Sequence, residues 1–301
     1  GYVERVDGSR HEISKADGRQ ADGRQADGSR HEEKAWRGSE TGFDHEAITK
    51  VSDSTLVVAS EGKCRLKEYP IVPTVDRKGW QDVWSADQFY PNYNFESLAY
   101  DSVRHYLWTI PESVLRKDGS PATPENQQAN KLRLIRYSWP QTAGENRAGS
   151  ESQTERTEYA YLMDRPSTSK KAETYVMGVS ELCALPDDGQ LLVLEREAFI
   201  PKIKLGAFCR CKLYLVNPLQ EQPIDAQSPI ADSAPFVKKR LLAEWRTNLS
   251  IFDFSFANYE GMCLGPKLSD GSQVLILLSD SQDQYAGILR DYFKTIVIAK
   301  Q

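Results

Sequence analysis

Short apolar runs separated by polar turns make up the chain from Phe43 onward. Polar and apolar residues alternate in RLKEYPIV at 65–72 and in KLRLIRYSW at 131–139, as they do in half-buried strands. Comparable runs lie at residues 157–164, 211–217, 239–245 and 291–299. Many strand-length runs bounded by turns, with little helical periodicity, predict an all-β fold.

A unit of two such strands recurs at residues 45–62, 95–113, 180–197 and 259–281. In each unit a glutamate opens a short strand, a polar turn follows, and a longer apolar strand ends at a second carboxylate. The first carboxylates are Glu46, Glu96, Glu181 and Glu260, and the second are Glu61, Glu112, Glu195 and Asp280. A repeated hairpin followed by further strands predicts a β-propeller of four-stranded blades.

The spacing between units sets the expected number of blades. An ordinary propeller repeat occupies roughly 40 to 50 residues, and the four units are spaced at or above that length. We therefore expect five or six blades, with long loops at 114–130 and 140–156, where Pro, Gly, Ser, Asn and Gln are frequent.

Residues 1–40 differ in composition from the rest, because ADGRQ and GSRHE each occur twice there. We interpret them as a low-complexity head that is mobile or forms an irregular edge or partial first blade. Its strand-like pieces are YVERV at 2–6 and RHEIS at 10–14, and its His11 and His31 are expected to be exposed. Residues 41–301 would form the propeller domain.

Charge and composition narrow the classes of partner. The net charge is −5, which gives no reason to expect nucleic acid or an anionic membrane, since both require concentrated positive surface. The chain as given contains neither an apolar run of membrane-spanning length nor a secretory signal pattern. We expect a monomer with no nucleic-acid partner and no membrane insertion.

The five cysteines lack paired CxxC spacing, which makes a zinc site a poor interpretation. Free cysteine behaves as a small apolar residue, so buried or idle thiols are expected, with a disulfide as the alternative.

Seven short strings occur in order along residues 43–281: DHEAI, VASEG, FESLAYD, IPES, SELCAL, LLVLERE and YEGMCLGPKLSDG. In these strings the chain resembles the phytase-like esterase family of bacterial proteins. The resemblance implies a β-propeller, periplasmic or extracellular location, and hydrolysis of a small-molecule phosphate ester. Residues 1–40 do not resemble the extra unit that usually precedes the first one in that family, which puts closure of the ring in question.

Four leading glutamates at one repeat position would form a ring around a propeller axis. Like charges held together repel, and a bound cation removes that repulsion. Oxygen-only ligands suit Ca²⁺ or Mg²⁺, so Ca²⁺ is the expected cofactor. The candidate ligands are Glu46, Glu96, Glu181, Glu260 and Asp280. Alternatively, each glutamate accepts backbone hydrogen bonds from the adjacent blade and holds the hairpins together.

If the protein is a phosphoesterase, a metal-bound water would attack phosphorus. Candidate catalytic residues are Glu61, Glu112, Glu195 and Arg196, and candidate substrate-binding residues are Arg196, Glu197 and His45. Guanidinium binds phosphate oxygens in fork geometry, although Arg196 could equally pair with a neighbouring blade's glutamate. His45 and His105 are lone histidines, and Lys238, Lys239 and Arg240 are expected in a solvated loop.

The sequence contains no GxSxG elbow, P-loop, HExxH motif or Gly-rich dinucleotide fingerprint. A serine hydrolase or a nucleotide enzyme is therefore disfavoured. Two alternatives to a phosphoesterase stay open, namely a non-catalytic propeller that binds a ligand or protein and a metal-dependent lactonase.

Overall fold

The computed structural model describes residues 2–5, 10–12, 44–71, 79–139, 154–186, 188–281 and 289–299. The first strands are β1 (Tyr2–Arg5), β2 (Arg10–Glu12), β3 (His45–Lys50), β4 (Thr55–Ser60), β5 (Arg65–Pro70), β6 (Gln81–Val83), β7 (Ala99–Asp101) and β8 (Tyr106–Thr109). The others are β9 (Lys131–Ser138), β10 (Arg156–Leu162), β11 (Thr174–Leu185), β12 (Gln190–Ile200), β13 (Phe208–Val216), β14 (Lys239–Asn248), β15 (Asn258–Lys267), β16 (Gln273–Asp280) and β17 (Phe293–Ile298).

Short 3₁₀ helices cover Glu61–Lys63, Ala86–Gln88, Arg116–Asp118 and Pro218–Gln220. Across the described part of the chain, no helix has the length and apolar character needed to cross a membrane.

The strands form four sheets, numbered here as blades 1 to 4. Blade 1 runs β3-β4-β5-β6, blade 2 runs β7-β8-β9-β10, and blade 3 runs β11-β12-β13-β14. Blade 4 has the order β15-β16-β17-β1-β2. The first strands contact one another in sequence, β3 with β7, β7 with β11 and β11 with β15. They are therefore the inner strands of a ring of blades, and the predicted all-β propeller is confirmed.

The strands predicted after each hairpin are present as β5, β9, β13 and β17, and the predicted fourth strands of blades 2 and 3 are β10 and β14. These strands and their loops fill the long spacings that suggested additional blades. The described residues therefore form four blades, where the spacing had led us to expect five or six.

Blade 4 joins both ends of the described chain. β1 pairs in parallel with β17, with Glu4 opposite Ile296, and pairs antiparallel with β2. The strand-like pieces expected in the head are thus β1 and β2, and they belong to the last blade rather than to a first one. The side chain of His11 and all of His31 lie outside what the structure describes.

Apolar clusters fill the spaces between successive blades. Trp108 and Tyr161 lie between blades 2 and 3, and Leu194 and Leu275 lie between blades 3 and 4. Phe95 belongs to the cluster between blades 1 and 2. Full burial of such a side chain stabilises the fold by roughly 1.5 to 3 kcal/mol, so contact between blades, rather than any single sheet, holds the inner strands in position.

All five cysteines are free thiols, and Cys183, Cys209 and Cys211 are buried. The expected burial holds for these three, whereas Cys64 is half-buried and Cys263 is exposed.

Candidate functional site

In three blades an Asp or Asn stands two residues before the leading glutamate. These residues are Asp44, Asn94 and Asn258, in the strings DHE, NFE and NYE. In each hairpin the backbone of this Asp or Asn pairs with the backbone of the residue that carries the second carboxylate. The Glu61 N–H donates to the Asp44 carbonyl at 2.8 Å, and the Glu112 N–H donates to the Asn94 carbonyl at 2.7 Å. Asn258 pairs with Asp280. This repeated Asx-x-Glu motif was visible in the sequence but was overlooked.

Blade 3 departs from this pattern. There Gly178 faces Arg196 and Val179 faces Glu195. Gly178 consequently occupies the Asx position, Ser180 the position of the leading glutamate, and Arg196 the position of the second carboxylate. The repeat pattern had aligned Glu181 and Glu195 with these positions, and that alignment was wrong by one residue. A β-bulge lies at Ser180, as one does at the leading glutamates Glu46 and Glu260 of blades 1 and 4, so Glu181 is one residue past the equivalent position. A shift of one residue turns a side chain to the opposite face of a sheet.

The side chain of Arg196 connects three blades. Its Nη2 contacts Glu112 of blade 2 and lies 3.5 Å from Glu96 Oε2, while its Nη1 contacts Glu260 of blade 4. The same Nη1 donates to Asn258 Oδ1 at 2.9 Å. Only 4% of the Arg196 side chain is exposed. The guanidinium thus forms ion pairs with the neighbouring blades, which is the alternative role considered for it.

We call this cluster the arginine hub (Glu96, Glu112, Arg196, Asn258 and Glu260). Burial changes the pKa of its carboxyl groups. Burial raises the pKa of Glu96, Glu112 and Glu260, and the Arg196 guanidinium opposes that rise. Asp280, which is exposed, adds further repulsion at Glu260. One guanidinium therefore offsets part of a larger negative charge at the centre of the ring.

Glu195 and Glu197 lie on the opposite face of β12 from Arg196. Glu195 accepts hydrogen bonds from the Tyr161 hydroxyl and Lys239 Nζ, each at 2.7 Å. Glu197 accepts from the Tyr175 hydroxyl at 2.9 Å. Neither carboxylate joins the arginine hub.

Lys239 was expected in a solvated loop, and that expectation was wrong. It is half-buried at the start of β14, where its ammonium pairs with Glu195 and Asp164.

Glu181 accepts backbone hydrogen bonds. The Leu182 N–H donates to its Oε1 at 2.9 Å, and the backbones of Leu98 in blade 2 and Met262 in blade 4 also donate to its carboxylate. Burial raises the pKa of Glu181 well above its ordinary value, and these hydrogen bonds oppose the rise. Glu181 thus links its blade to both neighbours, which is the alternative proposed for the leading glutamates.

A second acidic group lies on blade 1 and is called here the acidic trio (Asp44, Glu46 and Glu61). One carboxylate oxygen from each lies within 4.8 Å of the others. Partial burial, repulsion by Asp44 and Glu61, and the more distant Glu260 raise the pKa of Glu46 to about 7. His45, which stands between Asp44 and Glu46 in the sequence, is exposed, and its Nδ1 lies 3.1 Å from Ser60 Oγ. His105, by contrast, contacts the Tyr100 hydroxyl at 3.0 Å, in a different turn.

The raised pKa of Glu46 predicts how stability depends on pH. Between its ordinary value of 4.5 and about 7 the folded protein holds a proton that the unfolded chain has released. Stability from this group is therefore present below pH 4.5 and is lost as pH rises through about 7. In thermal scans without divalent cations, we expect Glu46→Gln to melt at a higher temperature than the parent protein above pH 7 and to lose this advantage near pH 5. If the difference in melting temperature between the variant and the parent is the same near pH 5 as above pH 7, the raised pKa of Glu46 is contradicted.

The four blades around a central polar cluster define a β-propeller protein. The chain belongs to the phytase-like family, described as having the esterase-like activity of phytase, which matches residues 7–282. The match begins well before residue 43, so it includes most of the head that had not resembled the family.

Among solved structures, the chain is similar to the WD40 domain of SCAP from fission yeast, with 12% identity and a TM-score of 0.20. The similarity covers 82% of this chain and 50% of that one, so the chain spans half the length of the solved structure. No curated protein matches the chain.

Proposed function

We propose that this protein is a divalent-metal-dependent phosphoesterase, with the cation held by the acidic trio. The observation that carries the proposal is the close approach of Asp44, Glu46 and Glu61, whose carboxylate oxygens lie within 4.8 Å of one another. Membership of the phytase-like family supports a phosphate ester as the substrate.

The donor set fits a hard cation. Three carboxylates supply only oxygen, which suits Ca²⁺ better than zinc or copper. The pKa of about 7 at Glu46 reflects partial burial first and then repulsion by Asp44 and Glu61, and a divalent ion would remove that repulsion. The trio therefore replaces the wider set of Glu96, Glu181, Glu260 and Asp280 as the proposed ligand group. Glu96 and Glu260 pair with Arg196 instead, and Glu181 binds backbone amides.

The bound cation, His45 and Arg196 would each have a different role in hydrolysis. When bound, the cation would lower the pKa of a water and offset charge on the phosphate. His45, which is exposed and adjacent in sequence to Asp44 and Glu46, is proposed to move a proton to or from the ester oxygen. Arg196 is proposed to hold Glu260 in place through the hub, and its buried guanidinium makes it a positioning residue rather than a phosphate ligand.

Calcium should stabilise the protein and support its activity. A ligand that binds only the native state adds about 2.7 kcal/mol at a hundred times its Kd, so we expect a rise of several degrees in melting temperature with added Ca²⁺. Hydrolysis of a generic phosphate monoester should disappear with chelator and return when Ca²⁺ is restored. Calorimetry and a colorimetric phosphatase assay measure the two effects.

Matched variants test whether calcium binding and hydrolysis depend on the acidic trio. Glu46→Gln and Glu61→Gln should abolish both the calcium shift and the hydrolysis. Asp53→Asn serves as the control, because Asp53 is an exposed carboxylate on the β3–β4 turn that pairs only locally, with Lys50 at 2.7 Å. Calcium binding without hydrolysis of any phosphate ester would favour a non-catalytic binding propeller. Chelator-sensitive opening of a lactone instead would favour the lactonase. Superimposable scans with Ca²⁺ and with chelator would overturn the metal site.

A further inference from the structure

Two neighbouring loops at one end of blade 3 present large apolar side chains to solvent. The β12–β13 loop contributes Ile203 (79% exposed) and Leu205 (48%). The β14–β15 loop contributes Ile251 (65%), Phe252 (91%) and Phe254 (66%). We call these five side chains the apolar tip. Exposed apolar groups clustered in this way mark a surface that binds a partner or a membrane.

The two loops form one surface. The Gly206 N–H donates to the Leu249 carbonyl at 2.7 Å, and the Leu249 N–H donates to the Ala207 carbonyl at 2.9 Å. β15 follows the second loop directly and carries Asn258 and Glu260 of the arginine hub. The apolar tip therefore lies at the same end of the ring as the candidate functional site.

The second loop is held in shape by its own polar groups. Ser250 Oγ accepts from the N–H groups of Phe252 and Asp253, at 3.2 and 3.0 Å. The Asp253 carboxylate accepts from Ser255 N at 3.0 Å and from Asn248 Nδ2 at 3.1 Å. Backbone polar groups that already have partners cost less to transfer into an apolar environment. The loop can thus enter a lipid interface without unfolding.

Local charge distinguishes the loops around the apolar tip from the acidic centre of the ring. The segments 165–173, 201–207 and 246–257 together contain six basic and two acidic residues, although the whole chain carries a net charge of −5. Lys202 and Lys204 alternate with the apolar side chains of the first loop. Of the two acidic residues, Asp253 directs its carboxylate into its own loop. Lysines beside apolar side chains complement the anionic headgroups that surround an acyl layer.

We propose that the apolar tip docks the protein peripherally onto an anionic phospholipid bilayer. Ile203, Phe252 and Phe254 would enter the boundary between headgroups and acyl chains, while Lys202 and Lys204 would extend to the headgroup phosphates. Docking of this kind needs no membrane-spanning segment. It also does not depend on the proposed enzymatic activity.

Vesicle flotation of the full chain tests the proposal. We expect the protein to float with vesicles of phosphatidylcholine mixed with phosphatidylglycerol, and much less with phosphatidylcholine alone. The double variant Phe252→Ser, Phe254→Ser should lower the bound fraction on the order of tenfold or more, because two exposed rings would no longer be buried. Lys202→Gln with Lys204→Gln should remove the preference for anionic vesicles.

The control is Val103→Ser, because Val103 is 62% exposed on the β7–β8 turn, at the opposite end of the ring. It should float like the parent protein. Failure to float with either kind of vesicle, or equal flotation of the Phe252 and Phe254 double variant, would overturn the proposal. So would sedimentation as a dimer that the same double variant dissociates without any vesicle binding, since the tip would then pair two copies of the chain. Far-UV spectra and melting temperatures confirm that each variant is folded.

Discussion

Replacing Arg196 with methionine should destabilise the protein by about 3 to 5 kcal/mol, the usual cost of leaving a buried ion pair without one partner. The guanidinium lies within the ring, where it contacts Glu112 and Glu260 and lies 3.5 Å from Glu96. Methionine would fill much of the volume but would leave these carboxylates without their cation. Urea unfolding at neutral pH measures the loss. The loss should shrink in acid as the carboxyl groups become protonated.

Two further variants separate charge from packing. Arg210→Met removes an arginine that pairs with Glu244 at 2.6 Å on the protein surface, and it should cost less than about 1 kcal/mol. Adding Glu112→Gln to Arg196→Met should restore part of the lost stability, because it removes an unpaired buried charge. Equal effects of the Arg196 and Arg210 substitutions would show that the arginine hub does not hold the blades together.

Gly178→Ala should destabilise the protein by about 1 to 3 kcal/mol or more, as overpacking of a tight contact does. A Cβ at Gly178 would lie 2.4 Å from the Glu112 carbonyl oxygen and 2.5 Å from Glu112 Cγ. That carbonyl accepts the Val179 N–H at 3.0 Å, so it cannot move away without weakening a bond between blades 2 and 3. Chemical denaturation measures the change in the free energy of unfolding.

Gly261→Ala provides the matched control. Gly261 also lies beside a β-bulge, in β15, but a Cβ there would meet its nearest atom, Leu278 Cβ, at 3.5 Å, which is ordinary contact. The two substitutions add the same methyl group to strand glycines in different surroundings. If both variants have the same stability, Gly178 does not limit the approach of Glu112.

Periodicity predicted the strands because alternation of polar and apolar residues reports directly on which side of a sheet is buried. The hairpins of blades 1, 2 and 4 and the third strands of all four blades lie where that alternation placed them. Blade number was harder to predict. Spacing does not distinguish an additional blade from long loops between third and fourth strands, such as the segment between β13 and β14.

The arginine hub was only partly predictable for a different reason. Glu96, Glu112 and Glu260 were found because their positions repeat. In blade 3 the equivalent positions hold Ser180 and Arg196, and Glu181 and Glu195 stand one residue away from them, so matching the glutamates in the sequence selected the wrong register. Only the register shows that Arg196, rather than Glu195, takes the position of the second carboxylate and joins the arginine hub. Contacts between blades cannot be deduced from one repeat, because each involves residues far apart in the chain.

The parallel pairing of β1 with β17 determines how the ring would respond to a mechanical load. If the chain were pulled through residues before Tyr2 and after Ile298, the force would slide the two strands past each other along their length. Their hydrogen bonds, at the registers Glu4 with Ile296 and Arg5 with Val297, would then share the load and break together rather than one at a time. An antiparallel seam pulled from adjacent ends would instead unzip. The β1–β17 pair is thus loaded in shear, and its hydrogen bonds carry the force before it reaches the inner strands.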